Sequence, residues 1–357
     1  MNFQEILAKI FLFPISLLYG IGVNIRNFLY QTKMLKSVRF DVPTISVGNL
    51  SVGGAGKTPH VEYLIELLQP YINLATLSRG YKRKTQGFLP VEINHSAVSV
   101  GDEPLQYKRK YNDVYVTVSE SRAWGISKIV EHRPDVQAII LDDAFQHRAV
   151  SPGLNILLTE YAKPYYKDFL MPFGRLREWK AGAERADIVV VTKCPPKLSE
   201  IEKSKILSEL KTLPHQQVFF TYYDYPRAPY YIFNGNQTVS LDYKLDILLV
   251  CAIARTDYLV ESLQEKANSV RVMEFADHHF FTNSDIGQIH RVFETIDSKN
   301  KIIITTEKDA VRLQLHADYL HQHQIPIFAL PAKVSFHFDE GKKFDDELKK
   351  FLLDFRA

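Results

Sequence analysis

The sequence has few cysteines and no long stretch free of polar residues, and both shortages narrow the class of protein. Cys194 and Cys251 are the only cysteines among 357 residues, too few for a disulfide framework or a cysteine-rich zinc site. The sequence also has no low-complexity tract. Its composition, with 46% hydrophobic and 24% charged residues, is that of a globular protein. The net charge of +3 is too small to indicate a nucleic-acid partner, so we expect none. The length predicts two domains, and the scarcity of cysteine fits a reducing, cytosolic setting.

The N-terminal segment, residues 1–36, is mostly apolar but is not a clean membrane span. Lys9, Pro14, Asn24 and Arg26 interrupt it, which leaves it short of the roughly 20 apolar residues that a span needs. No small-residue cleavage site follows, which argues against a signal peptide. Two interpretations remain open: an amphipathic helix on a membrane surface, or a helix buried against the rest of the protein.

The remainder of the chain divides by its pattern of apolar residues. In residues 37–216, short apolar runs alternate with helical stretches, which predicts a parallel sheet with crossover helices. Residues 217–243 alternate aromatic and polar residues, and Asn234-Gly235 predicts the turn of a β-hairpin, where both positions need positive φ. The α/β pattern resumes over residues 244–357. We therefore predict two α/β domains joined by a β-hairpin linker, with a ligand cleft between them.

A glycine-rich turn lies between the first predicted strand and the helix after it. It reads Ser51-Val52-Gly53-Gly54-Ala55-Gly56-Lys57-Thr58. Glycines let backbone N–H groups approach phosphates, and the helix N-terminus adds positive potential. Lys57 would reach the β- and γ-phosphates of a nucleotide, and the Thr58 hydroxyl would bind Mg²⁺. Ser51 stands where the usual pattern has glycine, so a chance glycine turn is the alternative.

Carboxylates follow two other apolar segments. Asp142 and Asp143 end an apolar run, as in a Walker B element, where a carboxylate at the strand tip holds Mg²⁺. Side chains alternate in direction along a strand, so the two cannot face a metal in the same way. Asp102 and Glu103 follow the strand-like segment 97–100, and a carboxylate there would accept a proton from an attacking hydroxyl. The alternative for both pairs is that they are ordinary turn residues without a catalytic or metal-binding role.

Three further clusters have weaker signals. Arg175, Arg177 and Glu178 lie in a loop rich in proline and glycine, where they would clamp a phosphate or complete a metal shell, or form an ordinary surface ion-pair cluster. Asp277-His278-His279 lacks the cysteine or HExxH spacing of a zinc site, and the sharper hypothesis is a histidine that faces Asp102 across the cleft. The segment 306–309 reads as a capped helix start.

Seven segments together resemble one family. They are VGNLSVGGAGKTP, LSRGY, VGDEP, LDDAFQH, GRLRE, FADHH and TEKDAVR, in that order. Over nearly its whole length the chain resembles the tetraacyldisaccharide 4′-kinases (lipid A 4′-kinases) of Gram-negative bacteria. The resemblance implies two Rossmann-like α/β/α domains joined by a two-stranded β linker, with a membrane-associated N-terminal helix. It implies transfer of the γ-phosphate of ATP, with Mg²⁺, to the 4′-hydroxyl of a lipid A precursor, tetraacyldisaccharide 1-phosphate. The reaction would take place at the cytoplasmic face of the inner-membrane surface, where the lipid substrate stays in the bilayer.

The resemblance also implies roles for single residues. Asp102 would act as the general base, paired with His278, and Lys57 would hold phosphate within the nucleotide loop 51–58. The implied metal-binding residues are Thr58, Asp142, Asp143 and Glu178. The implied substrate-binding residues are Arg79, Arg122, His147 and Arg177.

Two other classes of function stay open from the residues themselves. A P-loop switch or transport ATPase would bind and hydrolyse ATP without phosphorylating a lipid. A structural membrane-associated module would carry a degenerate site.

Overall fold

The secondary structure follows the predicted alternation of strands and helices. The computed structural model of the chain describes residues 3–253 and 255–356. The strands are β1 (Thr44–Asn49), β2 (Leu74–Ser78), β3 (Leu89–Pro90), β4 (Tyr115–Val118), β5 (Ala138–Asp142), β6 (Leu154–Glu160), β7 (Ile188–Thr192), β8 (Gln217–Asp224), β9 (Tyr230–Tyr231), β10 (Asn234–Thr238), β11 (Asp246–Cys251), β12 (Ser269–Glu274), β13 (Lys301–Thr306), β14 (Ile327–Leu330) and β15 (Lys333–Phe336). The α-helices are α1 (Phe3–Gln31), α2 (Lys57–Leu68), α3 (Ala97–Val100), α4 (Asp102–Lys110), α5 (Arg122–His132), α6 (Glu200–Leu210), α7 (Asp257–Gln264), α8 (Asn283–Glu294), α9 (Glu307–Leu313), α10 (Ala317–Gln322) and α11 (Gly341–Asp354).

The larger of the two sheets carries the phosphate loop near its centre. Its strand order is β15-β8-β7-β6-β1-β5-β2-β4-β3, and β1 pairs in parallel with β5 and β6. All six residues of β1 and all five of β5 are buried, because helices cover both faces of a parallel sheet. The carboxyl ends of β1, β2 and β5 therefore meet at one edge, where a ligand of an open α/β sheet binds.

The smaller sheet presents its own strand ends to this edge. Its order is β10-β9-β14-β13-β11-β12, and β11 pairs in parallel with β12 and β13. The segment after β12 contains His278, and α9 begins immediately after β13. Both of these contact α4 of the larger domain, as described below, so the two domains face each other across a cleft.

The predicted β linker, residues 217–243, divides between the two sheets. Strand β8 joins the larger sheet, whereas β9 and β10 form an edge of the smaller one. The turn of the β9–β10 pair lies at Ile232 and Phe233, and the predicted turn residues Asn234 and Gly235 start β10 without positive φ. That prediction was wrong because Ile232 is 4% exposed in the core of the smaller domain. Burial of this side chain sets the register in place of turn chemistry.

Two other details differ from the expected organisation. The segment 97–100, expected to resemble a strand, is the short helix α3, whose start is capped by Ser96. The chain also returns to the larger sheet at its C-terminal end. Strand β15 pairs with β8, and Phe344 and Leu348 of α11 are buried in the core of the larger domain. The domain boundaries at 37–216 and 244–357 stay predictions. Within the second range, β15 and α11 pack with the larger domain.

Helix α1 has one side against the protein and one side free. Ser16 Oγ donates to the Leu170 carbonyl (2.8 Å), and Trp179 Nε1 donates to the Gly20 carbonyl (3.0 Å). The free side carries apolar residues at helical spacing, each more than half exposed: Phe11, Ile15, Leu18 and Ile25. The part Phe11–Gln31 is long and apolar enough to cross a membrane by length and composition, with a mean hydropathy of 1.2 and 11% of it buried. The interpretation of a buried helix is therefore wrong.

Candidate active site

The glycine-rich turn forms an open cradle after β1. Gly53 and Gly56 have φ of 108° and 88°, a conformation that favours glycine. A Cβ on Gly56 would overlap the hydroxyl of Tyr223. Helix α2 begins at Lys57, whose Nζ donates to Asn49 Oδ1 (3.3 Å) and lies 3.6 Å from Asp143 Oδ1. Loop, lysine and helix N-terminus thus have the arrangement that phosphate binding requires.

The segment 169–179 lies directly beside this cradle and explains Ser51. The Val52 amide donates to the Arg175 carbonyl, and the Arg177 amide donates to the Leu50 carbonyl, both at 2.7 Å. Ser51 forms an antiparallel β-bridge with Leu176. The bridge is extended backbone, which any residue adopts, so this position does not need glycine.

The two aspartates after β5 point to different partners, as the alternation of side chains predicts. Asp142 is 6% exposed, and its Oδ2 accepts hydrogen bonds from Ser78 Oγ (3.3 Å) and Tyr107 OH (3.2 Å). Burial, followed by the charges of neighbouring carboxylates, raises the pKa of Asp142 to about 6. Its Oδ1 is buried and has no hydrogen-bond partner among residues 3–253 and 255–356.

Asp143 has φ of 48° and faces the cations of the site. Its Oδ1 accepts from Arg177 Nη1 (2.9 Å) and lies near Lys57. Burial would raise the pKa of Asp143, but Lys57 and Arg177 outweigh it and lower the pKa to about 2. Asp143 is therefore ionised and already paired, whereas Asp142 has one oxygen that no residue in the described part of the chain contacts by a hydrogen bond.

Some of the residues described so far are suited to hold the Mg²⁺ ion that the family resemblance implies. Asp142 Oδ1 is an orphaned buried oxygen, and the Thr58 side chain lies beside the Tyr107 hydroxyl that contacts Asp142. No three His, Cys, Asp or Glu side chains within residues 3–253 and 255–356 are grouped closely enough to hold a metal ion by themselves. Mg²⁺ commonly uses one or two carboxylates, with water and substrate phosphates as its other ligands. Thr58 and Asp142 fit that mode of binding.

Glu178 lies apart from Asp142 and is committed to other partners. It is fully buried, and its Oε1 accepts from Arg185 Nη2 (2.8 Å) and Gln146 Nε2 (3.0 Å). Its Oε2 accepts from Asn27 Nδ2 of α1 (3.4 Å). These contacts connect α1 to the site, and the metal role of Glu178 finds no support in them.

Three of the implied substrate residues surround the end of β5 on one side. Arg79 is exposed directly after β2, and Arg177 is bound to Asp143. Burial, then the charges of Arg122 and Arg79, lowers the pKa of His147 to about 4, so His147 is a neutral imidazole near these cations. Arg79 and Arg177 form a cationic rim beside the Asp142–Asp143 strand end, and the neutral His147 lies with them.

Arg122 differs from the other three because its guanidinium is buried. Nη1 donates to the Ser119 carbonyl (2.7 Å) and Nη2 to the Asp142 carbonyl (2.8 Å). Burial lowers the pKa of Arg122 to about 10. Its observed contacts hold the backbone around Asp142, and they leave the predicted contact with substrate without support.

Asp102 and His278 meet across the cleft, which confirms the predicted contact. Asp102 is 4% exposed at the start of α4, and its Oδ2 lies 3.3 Å from His278 Nδ1. His278 has φ of 58°, and its amide donates to the Ala252 carbonyl (3.1 Å). Arg312 Nε, from α9, lies 3.5 Å from the same carboxylate oxygen. His279, for which the sequence predicts no role, bonds Asp285 at the start of α8.

Sequence reasoning missed Lys308 and Arg312. The segment 306–309 is a capped helix start, as predicted, since Thr306 Oγ1 accepts from the Asp309 amide (3.1 Å). Its lysine also reaches His278 and Glu103. The available signal was positional: this segment follows β13 as the histidines follow β12, and parallel strands bring their carboxyl ends to one edge.

Comparison with known proteins identifies the family. The family model described as tetraacyldisaccharide-1-P 4′-kinase matches residues 8–353. The chain belongs to the tetraacyldisaccharide 4′-kinase family. It is 43% identical to the tetraacyldisaccharide 4′-kinase of Flavobacterium johnsoniae, with 98% of each chain covered. It is 42% identical to that of Bacteroides fragilis, with 94% of this chain and 91% of the relative covered.

A solved structure of a family member has the same fold. It is the crystal structure of LpxK from Aquifex aeolicus in complex with ATP, 30% identical, with a TM-score of 0.73. The match covers 97% of this chain and 99% of that chain. The similarity in fold thus extends over nearly the whole chain.

Proposed function

We propose that this chain transfers the γ-phosphoryl group of ATP to the 4′-hydroxyl of a tetraacyldisaccharide 1-phosphate, with Asp102 as the general base. Family membership supports the reaction, and the contact between Asp102 and His278 is the single observation that supports the residue roles. A P-loop protein that only hydrolyses ATP needs a cradle and a magnesium site. A buried carboxylate that is paired with a histidine from the opposite domain serves instead to take a proton from an acceptor hydroxyl.

In this proposal, the loop 51–58 holds the phosphates of ATP through its backbone amides, and Lys57 neutralises their charge. Thr58 and Asp142 would hold Mg²⁺, which when bound neutralises charge on the phosphates. Asp143 keeps Lys57 and Arg177 in place through its two ion pairs. Phosphoryl transfer depends mainly on such positioning and charge neutralisation.

Asp102 receives the proton of the acceptor hydroxyl. His278 and Arg312 both lie beside its Oδ2, which leaves Oδ1 as the oxygen for the sugar. A carboxylate fixed in this way removes the hydroxyl proton while the oxygen attacks, which typically contributes about 10²–10⁴ in rate.

The exposed apolar side of α1, formed by Phe11, Ile15, Leu18 and Ile25, binds the membrane surface in this proposal. Its support is the exposure of these residues on a helix whose other side contacts the segment 169–179. A lipid acceptor stays in the bilayer, so its kinase has to approach the bilayer. ATP is cytosolic, which favours the cytoplasmic face of the inner membrane.

The function is tested by incubating the purified protein with ATP, Mg²⁺ and tetraacyldisaccharide 1-phosphate in detergent micelles. We expect a lipid product with one additional phosphate, in equal amount to the ADP formed. Asp102→Asn should lower kcat by about 10²–10⁴, with KM for ATP unchanged within about threefold. ADP without phosphorylated lipid would instead identify a P-loop ATPase, and a parallel loss of turnover and ATP affinity in Asp102→Asn would make Asp102 a binding residue.

The membrane role is tested by changing the exposed side of α1 without removing the helix. Phe11→Glu with Leu18→Glu should release the protein from vesicles of phosphatidylethanolamine and phosphatidylglycerol in a flotation assay. The matched control is Ile201→Glu with Leu353→Glu, which alters two residues that are 83% and 85% exposed elsewhere. Equal flotation of both variants and wild type would show that α1 is not the anchor.

A further inference from the structure

Lys308 connects the two halves of the Asp102–His278 site. Its Nζ lies 3.0 Å from His278 Nε2, on its own domain, and 2.8 Å from Glu103 Oε1 on α4 of the larger domain. The lysine side chain is 19% exposed. Burial alone would lower the pKa of Lys308, but the Glu103 carboxylate outweighs it and raises the pKa, so the group is an ammonium.

The contact with Lys308 determines the tautomer of His278. An ammonium has three N–H donors and no acceptor, so at 3.0 Å His278 Nε2 has to accept. The ring proton is then on Nδ1, which faces Asp102 Oδ2 at 3.3 Å. A carboxylate only accepts, so both hydrogen bonds of the imidazole are satisfied in this tautomer.

We infer that Lys308 is a positioning residue for phosphoryl transfer: it holds His278 as the neutral tautomer whose Nδ1–H donates to Asp102. The inference rests on the proposed role of Asp102 as the base. Lys308 contacts neither reacting group, and it acts through the histidine. Its ion pair with Glu103 fixes the same ammonium to α4, on which Asp102 also lies.

The charges around His278 agree with a neutral ring. The groups that face it are Asp102 and Glu103 from α4, Lys308 and Arg312 from α9, the neighbouring Asp277, and Tyr81, whose ring packs edge-on at 5.1 Å. A proton on Nε2 would place a second positive charge beside the ammonium of Lys308. Without Lys308, no ammonium would face Nε2, and the ring would be free to carry a proton on either nitrogen or on both.

Loss of Lys308 should therefore make turnover depend on the protonation of His278. A ring with protons on both nitrogens would hold Asp102 in an ion pair and compete with the acceptor hydroxyl for the carboxylate, and histidine is the side chain whose charge ordinarily changes between about pH 5 and 8. We expect Lys308→Met to lower kcat about tenfold or more at pH 6 and no more than about threefold at pH 8.5. KM for ATP should stay within about twofold at both pH values, because Lys308 lies outside the P-loop.

Two lysine variants separate this role from general effects on structure. Lys308→Arg keeps a cation that only donates, so we expect the pH profile of kcat to keep its wild-type shape even where kcat falls. Lys301→Met removes a lysine of the same domain with nearly the same exposure, 18%, which bonds the carbonyls of Phe293 and Ile296. It should leave the pH profile unchanged, and a melting temperature for each variant reports whether it folds.

The decisive experiment combines Lys308→Met with His278→Ala. If Lys308 acts through His278, Lys308→Met should change kcat by less than about twofold in the His278→Ala protein, at pH 6 and at pH 8.5. The same fold loss in both backgrounds, or a loss that does not depend on pH, would overturn the inference while leaving the proposed function in place. A His278→Ala protein with wild-type kcat would overturn both this inference and the pairing of His278 with Asp102.

Discussion

Lys110 of α4 links the two domains through buried carboxylates, and its removal should be costly. Its Nζ lies 2.8 Å from Glu62 Oε2 on α2 and 3.1 Å from Glu307 Oε1 on α9. Glu62 and Glu307 are 4% and 6% exposed. Burial, followed by the charge of Glu307, raises the pKa of Glu62 to about 7. Lys110→Met would leave two buried carboxylates with no cation between them.

The size of the loss follows from burial and chain length. Removing one partner of a buried ion pair costs about 3–5 kcal/mol, and the 28% exposure of the Lys110 side chain favours the lower value, about 3 kcal/mol. With an unfolding entropy of about 2.1 cal/mol/K per residue, this corresponds to a fall of about 4 °C in melting temperature.

The loss should also depend on pH. The pKa of Glu62 is higher in the folded than in the unfolded protein, so the folded state binds more protons. That contribution is complete below the unfolded pKa and is lost as the pH rises through about 7. Without Lys110 the pKa rises further, so the difference between variant and wild type should be largest above pH 7 and shrink toward pH 5.

Thermal unfolding of both proteins between pH 5 and 8.5 measures these effects. The control is Lys128→Met, which breaks a pair of similar distance, 2.7 Å to Glu131, on an exposed helix surface. Exposed pairs contribute little, so this variant should melt close to wild type at every pH. A Lys110→Met protein that melts no lower than Lys128→Met, or whose loss of melting temperature is the same at pH 5 and pH 8.5, would show that Lys110 does not neutralise the two buried carboxylates.

Three further predictions concern the phosphate site. Asp142→Asn should abolish activity but raise the melting temperature at pH 8, because the raised pKa of Asp142 means that folding disfavours its charge. Asp143→Asn should lower the melting temperature, because the lowered pKa of Asp143 means that folding favours its charge. A higher melting temperature for Asp143→Asn than for Asp142→Asn would contradict this. Gly56→Ala should weaken ATP binding at least about tenfold by calorimetry, because φ is 88° and the added Cβ overlaps a tyrosine hydroxyl; unchanged affinity would contradict the cradle geometry. Arg122→Met should lower the melting temperature, whereas Arg79→Met should leave it unchanged and raise KM for the lipid; the reverse pattern would exchange their roles.

Features encoded by neighbouring residues were predictable from the sequence. The cradle at Gly53 to Lys57 depends on glycine conformations and on a helix start, which a few adjacent residues determine. Buried parallel strands such as β1 and β5 appear as apolar runs because helices cover both faces of the sheet. The contact between Asp102 and His278 was predictable because both follow elements whose ends meet at one cleft.

Features that depend on distant partners were not predictable. The amphipathic pattern of α11 shows that it packs on a sheet, but not that it packs on the larger one. Asn234-Gly235 has the chemistry of a turn, and the burial of Ile232 moved the turn by two residues. The contact of Arg122 with the Asp142 carbonyl joins residues that are distant in the chain, and so does the link from Glu178 to Asn27 of α1, so neighbouring residues do not predict these contacts.

The segment 169–179 contacts both the phosphate loop and helix α1. This double contact has a thermodynamic consequence. One edge of the segment pairs with Leu50 to Val52, where the phosphate loop begins, and Leu170 and Trp179 bind α1. Linkage between two binding events is reciprocal. If α1 binds a membrane as proposed, a shift of this segment on binding would change the affinity for ATP by the same factor by which ATP changes the affinity for the membrane. Where that factor exceeds one, ATP taken from solution strengthens binding to the bilayer that holds the acceptor, and the bilayer strengthens binding of ATP.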